Sequence, residues 1–335
     1  MKPILKNITD ALLLNAYTVQ SPGLIHGKTG IALSLFVLAR QFEEELFENH
    51  AFDLFQEVFT YENGNPDFEY GRAGISYALQ FLINHNYLNA DFSEIYGKQQ
   101  TDIINHIKQL EYSENSIDEY IDYLFFVHKS GFITQTDRKN CIQLLKNFII
   151  RFLEDIENEF TPHTVNQFYS RTSKLLPVLY PIQKEIFYRI ESTANKLSLS
   201  DYTCTDPLFA FNYMVYGINH NASDVIREGK FLVENLQKDI FPPFLTFRQR
   251  IDIIACIKKI YDYDNRLDFR KTANELLISI TDVDGKVFER KVNGLIRNET
   301  NLMMGIGYGL SRLLLLEVYL NGTGKSSDIY ELFVL

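Results

Sequence analysis

Tryptophan is absent from the sequence, cysteine occurs only three times, and no apolar stretch reaches the roughly 18 to 20 residues that a membrane span requires. The cysteines, Cys141, Cys204 and Cys256, are too widely spaced for a disulfide framework, which is typical of a reducing compartment. The amino-terminal apolar stretch is broken by Asp10 and lacks a small-residue cleavage site, so it does not resemble a secretory signal. We therefore expect a cytoplasmic protein without a membrane span.

An excess of positive charge is also missing. The chain has 33 Lys and Arg residues against 43 Asp and Glu, and no basic stripe offsets the net charge of -10. This balance opposes binding to a phosphate backbone, so nucleic acid is not an expected partner. Linkers rich in Pro, Gly or Ser are absent as well, which predicts a single domain over residues 1–335.

Strand signals are few, and the alternating stretches, such as 283–297, are short. Apolar residues at helical spacing dominate and predict an all-α fold of about fourteen helices in seven hairpins. In chain order the predicted pairs are 3–18 with 28–42, 43–60 with 72–87, 92–110 with 115–130, 135–156 with 165–178, 181–198 with 206–218, 222–238 with 246–261, and 265–281 with 303–320.

The two helices of a predicted pair differ in character. Residues 135–156 carry charges around an apolar stripe, as a surface helix does, whereas residues 31–39 are apolar nearly all round. An inner ring of covered helices inside an outer ring of amphipathic ones explains both patterns. The predicted architecture is therefore an (α/α) barrel, or toroid, of about seven inner and seven outer helices.

A repeat supports this arrangement. GLIHGKTGIALSLFVL (23–38) and EYGRAGISYALQFL (69–82) share the pattern G-x-x-G-I-x-x-x-L, and NLMMGIGYGLSRLLLL (301–316) is a worn third copy. We expect the first glycine of the pattern to adopt a positive φ, and the second to allow close packing of a helix start. If the inner helices are parallel, their amino ends meet at one mouth of the ring, where we expect the functional face.

These segments resemble the first two repeats of the lanthionine synthetase C-like proteins, and GIGYGLSRL resembles the last repeat of that family. The resemblance implies a toroid that acts on a ribosomally made precursor peptide, alone or with another peptide-modifying enzyme. In catalytic members a zinc ion held by two cysteines and a histidine activates a peptide cysteine for thioether closure. The W-C-Y-G and C-H-G segments that supply those ligands are missing here, so no metal or other cofactor is expected.

His26 and Tyr70 hold equivalent repeat positions, as do Lys28 and Arg72, and all four are candidates for substrate binding at the mouth. Hydrogen bonding to a neighbouring loop is the alternative for His26 and Tyr70. The two cations lie in the first turns of helices, where the helix dipole disfavours them. That placement predicts an anionic partner, with extension of the side chains into solvent as the alternative.

Asp67 and Asp118 precede or open predicted inner helices, where N-capping is the alternative to a functional role. The resemblance implies a functional aspartate near Asp118, a catalytic histidine near His163 and a zinc ligand near Cys204. A loop thiol is the alternative for Cys204, while Cys141 and Cys256 are expected in the core.

Arg248 and Arg250 lie on a helix predicted to be buried, so at least one should pair with an acid or face the central cavity. Arg248 is the substrate-binding candidate of the two.

Three functional hypotheses remain. The first is a peptide-maturation protein that binds a precursor peptide in its central cavity, with or without thioether closure. The second is a non-catalytic scaffold for a partner protein. The third is a carbohydrate-active (α/α) barrel, which requires opposed carboxylates beside the cavity.

Overall fold

The computed structural model describes residues 3–61, 64–158, 161–179, 184–198, 206–236, 245–281, 304–307, 309–321 and 327–335, and α-helices make up most of these ranges. In chain order they are α1 (Pro3–Asn15), α2 (Lys28–Phe42), α3 (Glu45–Phe59), α4 (Arg72–Asn84), α5 (Phe92–Lys108), α6 (Ile117–Lys129), α7 (Gln135–Asn158), α8 (Pro162–Leu175), α9 (Lys184–Ser198), α10 (Pro207–Asn219), α11 (Ser223–Leu236), α12 (Phe247–Tyr263), α13 (Arg270–Thr281), α14 (Leu310–Asn321) and α15 (Ser327–Tyr330). The described ranges contain no strand, so the all-α prediction is confirmed for them; residues 283–297 lie outside the described part. Within the same ranges, no helix is long and apolar enough to cross a membrane.

Most predicted helices match the observed ones to within a few residues. The last one was predicted from residue 303, but α14 begins only at Leu310, because the glycine-rich residues before it form a turn against a neighbouring loop. Side-chain capping explains why several helices begin where they do. Asp91 accepts hydrogen bonds from two amides at the start of α5, and Thr161 and Thr246 form capping boxes at the starts of α8 and α12.

Burial separates two classes of helix, as predicted. Every residue from Lys28 to Ala39 of α2 is buried, and α14 is buried from Leu310 to Tyr319. In α7, by contrast, the buried residues form one stripe that includes Cys141 and Leu145. The buried apolar side chains of the described ranges make one contiguous core.

Helix α2, helix α14 and five further helices are neighbours of one another; most of the seven are largely buried, and α8 is exposed along one side. Helix α4 packs against α2 and α6, α8 against α6 and α10, α12 against α10 and α14, and α14 against α2. Six amphipathic helices pack mainly on one of them: α3 on α2, α5 on α4, α7 on α6, α11 on α10, α13 on α12, and α1 on α14. Helix α9, by contrast, packs mainly on α7.

The predicted pairing is therefore wrong for most hairpins, because it joined α2, α4, α6, α10 and α12 to the helix before each of them, whereas each packs on the helix after it. The connections explain the observed choice, since α2 and α3 are separated by two residues but α3 and α4 by twelve. Short connections favour antiparallel neighbours. Glu43, Asn86 and Asn221, with φ between 53° and 58°, all lie in such short turns. The repeated I-N-H-N at 83–86 and 218–221 marks two of these turns in the sequence.

Candidate functional site: a central cavity at the helix starts

Main-chain hydrogen bonds join the loops that precede α2, α4 and α14. The amide of Ile25 donates to the carbonyl of Glu69 over 3.0 Å, and the amide of Gly307 donates to the carbonyl of Ile25 over 2.8 Å. All three copies of the sequence repeat therefore meet side by side at the amino ends of their helices.

The first glycine of each complete repeat does not have the predicted positive φ. Gly27 and Gly71 are extended, with φ of -138° and -122°. A Cβ on either one would lie well under 3.0 Å from a main-chain carbonyl oxygen, that of Ser21 or Asn65. The amides of the next residues donate to these same carbonyls, so close main-chain approach, and not backbone handedness, requires glycine at these positions.

A cavity with about 170 Å³ of water-accessible space opens beside these loops. Its wall comes from the loops before α2 and α4, from α6, α8, α10 and α12, and from residues 330–335. The polar and charged lining side chains include Glu69, Asp122, Lys174, Asn212, Arg248 and Asp252. The apolar part of the wall includes Ile25, Phe68, Phe125, Leu208, Phe333 and Leu335.

A buried ion network fixes one side of the cavity. Arg312 is fully buried, and its Nε donates to Asp252 Oδ1 over 2.8 Å. Its other nitrogens donate to the carbonyls of Ile306, over 3.1 Å, and Phe333, over 2.9 Å. Arg248 lies 3.7 Å from Asp252 on the same helix and lines the cavity. Arg248 therefore does both things expected of an arginine on α12, since it pairs with an acid and faces the cavity. Arg250 donates a hydrogen bond to the carbonyl of Leu245.

Residues 327–335 cross the molecule towards this network. Asp328 lies 3.3 Å from His85 just after α4, and Glu331 lies 3.0 Å from Lys129 at the end of α6. The far end reaches the first turn of α12, where Arg248 donates to the carbonyl of Leu335. The segment therefore runs from the carboxyl ends of α4 and α6 to the amino end of α12.

Asp122 is one of several cavity residues that sequence reasoning missed. It lies on α6 one turn after the candidate Asp118, and within the described ranges its carboxylate forms no hydrogen bond or ion pair. Burial, followed by the nearby charge of Glu69, raises the pKa of Asp122 to about 7. A carboxyl group that titrates near neutrality in a cavity is a common feature of functional sites.

The raised pKa gives a test of stability against pH. Because the folded-state pKa of Asp122 lies above its ordinary value of 3.8, the wild type should lose stability as pH rises from about 4 through 7. Asp122→Asn removes this loss. We expect the variant to be more stable than the wild type by roughly 2 kcal/mol at pH 8, about half of the full conversion because the cavity admits water, and by little at pH 4.

Urea unfolding at the two pH values measures the difference. Asp118→Asn is the matched control on the same helix, since Asp118 pairs with Arg171 and Lys174 and its loss should not stabilise the protein at pH 8. A stability gain for Asp122→Asn that is the same at pH 4 and pH 8 contradicts the assignment.

The predicted mouth residues separate into two groups. His26 is buried and its ring stacks on that of Tyr70, with centroids 4.8 Å apart, so these equivalent positions do meet. Burial lowers the pKa of His26 to about 4, with Arg248 adding to the effect. His26, Tyr70, Lys28 and Arg72 all lie outside the cavity lining, although Ile25 and Glu69, the neighbours of the first two, belong to it.

The anionic partners of these two cations lie within the chain. Lys28 pairs with Glu57 of α3, and Arg72 lies 3.4 Å from Asp102 of α5. Each cation thus joins a buried helix to the amphipathic helix that covers it.

The acidic candidates have structural partners. Asp67 accepts a hydrogen bond from the amide of Tyr70 over 2.6 Å and so caps the turn into α4, and Asp118 lies in the ion pairs with α8 described above. His163 is exposed at the start of α8 and does not line the cavity. Cys204 lies outside the described residues.

The described cysteines lie in the core, as predicted. Cys141 is fully buried in α7, and Cys256 of α12 is buried next to the cavity, where its thiol contacts Asn212 and Tyr330. Burial raises the pKa of Cys256 to about 12, which opposes a thiolate role. Among the residues that the structure describes, no three His, Cys, Asp or Glu side chains come together in a way that could hold a metal ion.

No protein-family model matches the chain, and no curated protein matches it.

Proposed function

We propose that this chain is a lanthionine synthetase C-like toroid that binds a precursor peptide in its central cavity during the modification of a ribosomally made peptide. The observation that carries the proposal is that a peptide segment, the chain's own residues 333–335, forms part of the wall of that cavity and is held there through its main chain. Binding and presentation of the peptide are the proposed role, and thioether closure is a separate activity.

The toroid is supported by the order of helix contacts. From α2 the neighbours run through α4, α6, α8, α10, α12 and α14 and return to α2. Seven helices in a cyclic order of contacts, six of which carry an amphipathic helix packed on them, are what a ring of seven inner helices requires. The main-chain bonds from Gly307 to Ile25 and from Ile25 to Glu69 support closure between the last repeat and the first.

Peptide binding is supported by the groups that hold residues 333–335. Arg312 and Arg248 donate to the carbonyls of Phe333 and Leu335, two residues apart along the chain. A guanidinium group has several donors and no acceptor, so it recognises main-chain carbonyls of any sequence. The apolar wall, which includes Phe68 and Phe125, takes side chains, as in other sites that combine few polar groups with an apolar lining.

A display library of random peptides, selected on the immobilised full-length chain, tests this proposal. Ser170→Trp is the blocking variant, because Ser170 lines the cavity and is exposed to it, so a large side chain fits without disturbing the core. Ser223→Trp, at an exposed serine of α11 outside the lining, is the matched control. We expect selected peptides to bind the wild type and Ser223→Trp and to lose at least tenfold in affinity for Ser170→Trp, which is about 1.4 kcal/mol.

The other outcomes separate the competing hypotheses. Peptides that bind all three proteins equally place the interaction on the outer surface and favour a scaffold for a partner protein. A chain that selects no peptide contradicts the proposal.

A carbohydrate-active barrel is a second candidate, and one observation favours it. Glu69 and Asp122 both line the cavity, and the pKa of Asp122 is raised as a general acid requires. Binding to an oligosaccharide array, with hydrolysis lost in both Glu69→Gln and Asp122→Asn, is the result this candidate needs.

A further inference from the structure

Residues 333–335, here called the cavity segment, occupy the place that a peptide ligand would take. Phe333, Val334 and Leu335 all line the cavity, and the donors that hold their carbonyls are the same ones that the proposed function assigns to the ligand. A ligand cannot use Arg248 in this way while Leu335 does.

We propose that the cavity segment is an intramolecular competitor, so that a peptide binds by displacing it from the cavity. This inference rests on the proposed function and adds regulation of the same site. The ligand it implies is an extended apolar peptide, matched to the side chains that the segment presents.

The segment is held in a way that permits exchange. Residues 331–333 form a turn and residues 334–335 have no regular secondary structure. Within the described part of the chain, the bond from Arg248 is the hydrogen bond that residues 334–335 receive. Directly before the segment Leu332 is fully buried, so exchange is confined to residues 333–335. The next contact is the pair of Glu331 with Lys129, both about one-third exposed, and such pairs contribute little.

Exchange of the cavity segment for an apolar ligand also leaves the amount of buried apolar surface nearly unchanged. Leaving the cavity exposes Phe333 and Leu335, which are 6 % and 8 % exposed, and an apolar ligand restores the same burial. A tethered competitor acts at an effective concentration in the millimolar range. A weak ligand therefore does not displace the segment, whereas a ligand of high affinity does.

The absence of tryptophan from the chain provides a direct reporter. Phe333→Trp places a single indole in the cavity, and Phe231→Trp, at an exposed position of α11, is the control. The probe is the synthetic peptide Tyr-Glu-Leu-Phe-Val-Leu, which copies residues 330–335, with its ends acetylated and amidated to remove terminal charge. We expect the probe to shift the emission of Phe333→Trp to the red, as the indole enters water, and to leave that of Phe231→Trp unchanged.

A second variant measures the competition. Leu335→Gly weakens the segment without touching the donors, so the probe should bind it about tenfold more tightly than the wild type in calorimetry, as the fraction of open cavity rises. Hydrogen exchange of the amides of residues 333–335 is measured in the wild type and should accelerate when the probe binds. Because this measurement needs no substitution, it tests the proposal even if a variant fails to fold.

The outcomes distinguish the two proposals. If the probe binds the wild type and Leu335→Gly equally, with unchanged emission of Phe333→Trp and unchanged exchange, competition is wrong and peptide binding stands. If calorimetry detects no binding to either protein, and the display selection also returns no peptide, both proposals are wrong.

Discussion

Replacing Arg312 by methionine is expected to lower the free energy of unfolding by about 3–5 kcal/mol, as the removal of one partner from a buried ion pair does. Arg312 is fully buried, and its loss leaves Asp252, also buried, with Arg248 at 3.7 Å as its remaining cation. The carbonyls of Ile306 and Phe333 lose their donor at the same time. Urea unfolding at pH 7, with the midpoint and slope compared with those of the wild type, measures the change.

Two controls isolate the buried charge as the cause. Arg227→Met removes an arginine from an exposed pair with Asp224 on α11 and should change stability little. The double variant Arg312→Met with Asp252→Asn should recover part of the loss, because no unpaired charge remains in the core. A loss under about 1 kcal/mol for Arg312→Met would show that the pair is not a structural support of the cavity.

The helices could be read from the sequence because local apolar spacing sets them. The stripe of α7 and the covered stretch 31–39 of α2 were both predicted, and both are observed. The pairing between helices could not be predicted from the apolar spacing within each helix. It followed from the lengths of the connections and from residues such as Asn86 and Asn221, which tolerate a positive φ in a short turn.

The candidate site could be predicted only in part. The repeat glycines indicated the loops that meet before α2, α4 and α14, and the stacking of His26 on Tyr70 follows from their equivalent positions. Asp122 and Arg312 were missed, although each is a charged residue on a helix predicted to be covered, the signal that had identified Arg248. Their roles depend on partners or neighbours far along the chain, since Arg312 and Asp252 are 60 residues apart.

The course of residues 327–335 could not be predicted either. These residues carry no repeat pattern, and their position depends on Lys129 and Arg248 from two different helices. The ion pairs and hydrogen bonds that place this segment come from residues far along the chain, so the sequence carries no local signature of its course, and its apolar residues alone did not indicate a cavity.

Replacing Gly30 by alanine is expected to destabilise the protein by about 3 kcal/mol, at the upper end of overpacking costs. A Cβ at this position, in the first turn of α2, would lie well under 3.0 Å from the carbonyl oxygen of Leu24 and 3.0 Å from the side chain of Ile306. A carbonyl cannot move aside as a flexible side chain can. Ile306 belongs to the third repeat, so relief of the clash has to separate the first and last repeats at the mouth.

Gly97→Ala is the matched control, because Gly97 lies within α5 and an added Cβ meets only the side chain of Ser93 at an ordinary 3.9 Å. It should stabilise the protein by about 0.5–1 kcal/mol through helix propensity. Gly74→Ala, which meets the carbonyl of Phe68 in the second repeat, should behave like Gly30→Ala. Equal stability of the Gly30, Gly74 and Gly97 variants in urea unfolding would contradict close main-chain packing as the reason for the repeat. A loss confined to the two repeat positions ties G-x-x-G-I to the assembly of the mouth, where the cavity and its arginines are formed.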